Sequence, residues 1–152
     1  MPAESRSSPR EIQNYLGRIS GPLLDRIDLH VEVPAVPFRE IASEQTGETS
    51  AQIRARVTAA RQRQQQRFAH KPRLTCNARM GPRELKSYCA ISSDTLELLK
   101  IAMTDMKLSA RAYDRILKVA RTIADLAAAE SITSEHLMEA VQFRNLDRQL
   151  WT

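Results

Sequence analysis

Aromatic residues make up only 5% of the 152-residue chain, and it has just two cysteines and four glycines. Each scarcity excludes something. With so few rings, an interior has to be built from aliphatic side chains and alanine, which suits helices packed on helices better than a sandwich of sheets. Cys76 and Cys89 are too far apart for a CxxC pair, and His30, His70 and His136 are scattered. Neither a disulfide framework nor a metal-ligand set is indicated. No apolar run reaches membrane-spanning length, and no signal-type apolar segment opens the chain, so a cytoplasmic chain with no membrane partner is expected. The glycines, Gly17, Gly21, Gly47 and Gly81, spell no G-x-x-x-x-G-K-S/T phosphate loop. No apolar strand ends in adjacent acidic residues that could hold Mg²⁺.

Positive charge is what the chain has in excess. Its formal net charge is +5 and its pI is near 9.6. Arginine supplies most of it, with 18 arginines against 5 lysines. Such a balance favours acidic partners, phosphates or nucleic acid among them.

The stretch from Leu108 to Ala128, LSARAYDRILKVARTIADLAA, organises the rest. Ala112, Ile116, Val119, Ala120, Ile123 and Ala127 recur at helical spacing and predict one apolar stripe. Arg111, Arg115 and Lys118 share another face, and Ser109 is the expected N-cap. A cation in the first turn faces the positive end of the helix dipole, so Arg111 sits where it needs a reason. Asp114 with Lys118, and Arg121 with Asp125, stand at the spacing of structural ion pairs.

Upstream, Pro9 to Arg18 predicts a short helix with Ser8 as N-cap and Pro9 at its first position. Asp28 to Val33, DLHVEV, alternates and predicts a strand with Leu29, Val31 and Val33 on one face. A single strand cannot satisfy its own backbone groups, so this piece is expected to belong to a larger sheet. Alone, the part before Gly47 is expected to lack fixed structure or to pair with another chain. Glu48 to Phe68 predicts a long helix with Ile53, Val57, Ala60 and Phe68 as its apolar points, Gln64 interrupting the row. Its arginines, Arg54, Arg56, Arg61, Arg63 and Arg67, read as a solvated face in preference to a nucleic-acid contact, because no aromatics interleave them. Shorter helices are expected over Gly81 to Cys89, from a Ser93 or Asp94 cap to Met106, and from Ser134 to Phe143 behind a Thr133 cap.

Two segments together carry a family likeness. YLGRISGPLLDRIDLHVEV, from Tyr15 to Val33, and the later LSARAYDRILKVARTIADLA resemble the magnesium-chelatase-like AAA+ ATPases, the competence-associated ComM-type branch among them. Asn77-Ala78 also fits that branch. The resemblance implies a mainly α fold: a C-terminal helical lid bundle preceded by a short remnant, a helix plus one strand, of the α/β ATPase core. Small polar composition without periodicity predicts a disordered leader at 1–8, and a Pro-containing polar stretch predicts a linker at 37–47; the resemblance makes 9–36 the core remnant and 48–146 the lid, with a tail at 147–152.

The resemblance also assigns two residues. Arg26 in LLDRID matches the arginine finger, which acts in trans on a neighbouring subunit's ATP. Arg111 in SARAYDR matches the sensor-2 arginine, which contacts nucleotide phosphate. Without the likeness, an internal pair of Arg26 with Asp25 or Asp28 is the favoured reading. With it, the finger role stands ahead. The full-length parent would bind ATP and Mg²⁺, assemble as a homo-hexamer and translocate DNA in branch migration, whereas this chain alone would not hydrolyse ATP. The motor subunit of a true magnesium chelatase and a free-standing helical DNA-binding or interaction module are the alternatives.

Overall fold

Side-chain caps set where the helices begin. In the computed structural model, which describes residues 8–18, 23, 25–38 and 47–144, α1 spans Pro9–Leu16. Ser8 and Glu11 cap it reciprocally, the Ser8 amide donating to Glu11 Oε2 at 2.8 Å. α2 spans Ser50–Arg67 behind a Thr49–Gln52 capping box. A single 3₁₀ turn, Asn77–Arg79, leads to α3, Pro82–Tyr88. Then come α4, Ser93–Asp105, α5, Ala110–Leu126, and α6, Ser134–Gln142. Ser109 and Thr133 cap α5 and α6 as the sequence suggests, but α4 is capped by Ser92, one residue before the expected Ser93 or Asp94.

Two helix ends close alike. After α4 the Leu108 amide donates to Met103 O and the Lys107 amide to Thr104 O; after α5, Ala129 and Ala128 do the same to Ala124 and Asp125. These crossed bonds satisfy carbonyls that the helix leaves open, and they need a left-handed residue at the bend. Lys107 at φ 51° and Ala128 at φ 60° supply it without being glycine.

The fold is mainly α, and α5 is its axis. The 3₁₀ turn, α2, α3 and α6 all pack on it, and α4 packs on α6. Ala112, Ile116, Leu117, Ala120 and Ala124 of α5 are buried with Leu99, Leu137, Ala140 and Val141. Alanine at 112, 120 and 124 lets neighbouring helices approach α5 closely, while Ile116, Leu99 and Leu137 fill the space between; each such aliphatic contributes about 1.5–3 kcal/mol on burial. The outer points of the expected stripe are less covered: Val119 and Ile123 are half-buried and Ala127 is exposed.

The first half of α2 departs from expectation. Ile53 and Val57 are exposed, and burial begins only at Ala60 and Gln64. Gln64 does not interrupt the inward row but completes it, because its Oε1 accepts the Asn77 amide at 3.2 Å.

The expected strand at Asp28–Val33 does not form. Among the described residues there is no strand at all, since no second strand lies alongside to complete a ladder. Leu29, Val31 and Val33 share a face as the alternation suggests, but that face is exposed, and the inward residue is His30. The segment is an arm laid on the helices, its His30 amide donating to the Phe143 carbonyl at 2.8 Å. The expected leader up to residue 7, most of the linker and the tail lie outside the described residues.

Candidate functional site

A polar cluster joins α2, the 3₁₀ turn and α5. Asp125, 2% exposed, receives the forked guanidinium of Arg67 from α2, with Nη1 at 2.8 Å from Oδ2. Asn77 Nδ2 donates to the same Oδ2 at 2.8 Å and to Thr122 Oγ1 at 3.1 Å. Arg121, 3% exposed, donates from Nε to Asp125 Oδ1 and from its two terminal nitrogens to the carbonyls of Ala129 and Glu130. Burial alone pushes the Asp125 carboxyl up. The Arg67 and Asn77 hydrogen bonds and the two cations outweigh it and hold the carboxyl below its ordinary value. None of its fully buried side-chain nitrogens and oxygens lacks a partner within the chain, so it is a structural lock. The Arg121–Asp125 pair is structural as its spacing implies, whereas Lys118 turns away from Asp114 and donates to Ala78 O at 3.2 Å.

The sequence-predicted site residues lie elsewhere, at the docked arm. Residues 25 and 26 form a turn whose Arg26 amide donates to Leu23 O at 2.9 Å. Two arginines from the helical part fasten that turn. Arg144, 1% exposed, donates to the Ile27 carbonyl and stands 3.9 Å from Asp25. Arg115, on the second turn of α5, is paired with Asp28. Asp28 and Leu29 wall a cavity of about 320 Å³ with Val119, Ile123, Leu126 and Phe143.

Arg26 itself is exposed, and among the described residues no hydrogen bond or ion pair engages its guanidinium. The competing reading from sequence, an internal pair with Asp25 or Asp28, is not what forms. Arg111 is likewise exposed at the start of α5 with no partner among the described residues. It lies one helical turn before Arg115, so the Asp28–Arg115 pair brings the Arg26 turn beside the end of α5 that carries Arg111. The sequence does not mark Arg115 and Arg144 as tethers of the arm; the two aspartates flanking Arg26 are the signal it offers.

Comparison with known proteins settles the lineage. Residues 47–144 match the family described as magnesium chelatase, subunit ChlI C-terminal, and residues 1–41 match magnesium chelatase, subunit ChlI. The chain belongs to the magnesium chelatase ChlI family. Within that family it is 41% identical to the competence protein ComM of Haemophilus influenzae over 147 residues, which is 96% of this chain and 28% of that protein. It is 42% identical over the same share to the uncharacterised protein YifB of Salmonella typhimurium, and 41% to YifB of Escherichia coli. The chain thus spans little more than a quarter of the curated relatives it matches. Two exposed, permanently charged guanidiniums fit phosphate contact, and the described residues offer no group of His, Cys, Asp or Glu suited to a metal ion. No helix among them is long and apolar enough to cross a membrane.

Proposed function

We propose that the chain is the C-terminal portion of an ATP-dependent AAA+ motor that drives DNA branch migration when transforming DNA recombines. In this reading residues 9–36 end the ATPase core, 48–146 form the lid, and 37–47 link them. Six copies of the parent protein form a cytoplasmic ring on DNA, and the upstream core of each copy binds ATP with Mg²⁺. Bound ATP supplies the phosphoryl group whose transfer drives the motor. Arg26 is the finger that approaches a neighbouring copy's triphosphate, where a fixed, planar cation stabilises charge developing on the transferred group. Arg111 contacts nucleotide phosphate from the start of α5, and the anion offsets the cost of a cation at that helix end.

One observation carries this reading. Arg26 and Arg111 are both exposed and uncommitted among the described residues, although acids flank Arg26 on either side. The ChlI match and the likeness to a protein named for competence support the larger context. The test is to mix full-length Arg26→Ala subunits into wild type and follow ATP hydrolysis. A finger acting between subunits suppresses activity more steeply than dilution, and the pure variant loses roughly 10³-fold in kcat. Activity that tracks the wild-type fraction alone counts against the assignment.

A second reading has its own support. α2 holds five arginines and no acid, and three of them, Arg54, Arg61 and Arg63, are exposed and outside the pairs that Arg56 makes with Glu48 and Arg67 with Asp125. A free-standing nucleic-acid-binding module would therefore bind duplex DNA without ATP, its affinity falling with salt at a slope set by the phosphates neutralised.

A further inference from the structure

Arg26 sits between two carboxylates, and a guanidinium so placed in an unstructured segment would spend much of its time paired with one of them. In the folded chain each acid is held by a different arginine. Asp28 is engaged by Arg115 of α5, and Asp25 faces the buried Arg144 beyond α6. The Arg26 turn is further pinned by the Arg144–Ile27 carbonyl bond and by the His30 amide on Phe143 O. The result is an exposed Arg26 with a carboxylate on either side and a claim on neither.

We propose that Arg115 is a positioning residue for Arg26: by holding Asp28, it keeps the Arg26 guanidinium open to an incoming phosphate. This rests on the finger reading given above. The Arg115–Asp28 pair is partly exposed, 29% and 51% at the two side chains. An ion pair in such a setting is worth little to stability, so its value lies in where it leaves the charge. When Arg115 is removed, Asp28 is released within reach of the guanidinium two residues away, and that exposed pair competes with phosphate by up to about fivefold. Removing Asp28 as well takes away the competitor. Arg144 performs the same service for Asp25, but it is buried, and its loss would disturb the fold; Arg115 is the position that can be tested.

Two measurements decide it. On this chain, NMR contacts between the Arg26 guanidinium and Asp28 side chain are absent in wild type and appear in Arg115→Ala, with circular dichroism unchanged. In the full-length hexamer, Arg115→Ala lowers kcat for ATP about fivefold with KM within about twofold. Asp28→Asn alone stays within about twofold of wild type, and the Arg115→Ala, Asp28→Asn double variant recovers to the same range. The proposal is overturned if Asp28→Asn falls as far as Arg115→Ala, if the double variant fails to recover, or if no Arg26–Asp28 contact forms once Arg115 is gone. If Arg26→Ala itself leaves the motor unaffected in the mixing experiment, it is the finger reading that fails, and the chain-level contact still reports on the sequestration of Asp28.

Discussion

Arg67 closes on Asp125 across the packing of α2 against α5, the last residue of one helix reaching into the last turn of the other. α2 has few apolar anchors, so this forked contact and the Gln64–Asn77 bond do much of the work of seating it.

Removing the carboxylate should therefore be costly. Asp125→Ala leaves Arg121 buried without its counter-ion and Arg67 without its acceptor, and we expect a loss of about 3–5 kcal/mol. Urea unfolding of the chain, followed by circular dichroism, measures it. A loss below about 1 kcal/mol would mean the cluster is not the lock described.

The same group sets an acid limit. The folded-state value of Asp125 lies below its ordinary 3.8, so folding favours the ionised form. The contribution is fully present above that value and is lost as pH falls below it, through the folded-state value. Stability should hold from neutral pH down to about 4 and then decline, and Asp125→Asn should show a shallower decline. Glu84, held below its ordinary value by the Lys71 hydrogen bond, is paired with a lysine that is 40% exposed, and such a pair adds little.

The two thiols should part company in reactivity. Burial pushes the Cys89 thiol up to about 11, which leaves it un-ionised at neutral pH. Burial also acts on Cys76, but the Arg79 amide and the Thr75 and Arg61 side chains outweigh it and bring that thiol below its ordinary value. Iodoacetamide followed by peptide mapping should label Cys76 in the native chain and Cys89 only on unfolding. Equal labelling rates would contradict this.

Left-handed residues at two helix ends offer a gain. Lys107→Gly and Ala128→Gly relieve the steric cost of positive φ, and each should raise stability by roughly 0.5–1 kcal/mol in the same urea assay. The gain at residue 128 should be absent if the crossed bonds after α5 are not formed in solution.

What sequence could and could not reveal follows the range of the interactions. Ser8, Thr49, Ser109 and Thr133 act on amides three residues away, and three of those caps, Ser8, Ser109 and Thr133, are legible in the sequence. Gln64, Arg121 and Asp125 are buried because of residues distant in the chain, and a polar letter in a helix gives no hint of that. The DLHVEV alternation fits a strand and an arm equally, and what separates them is whether a neighbouring strand exists. Arg26 and Arg111 follow from the family likeness, whereas the Asp28–Arg115 pair that ties the Arg26 turn to α5 joins residues distant in the chain and leaves no local signal.

The bond from the His30 amide to the Phe143 carbonyl joins two residues far apart in the chain. A ribosome makes the donor early and the acceptor late, so the arm emerges into the cell well before its seat exists. Throughout that interval Leu29, Val31 and Val33 are available to a chaperone. The Arg26 turn thus takes its final place only once Phe143 has been made, and a chain that stops short of that residue would leave the arm adrift.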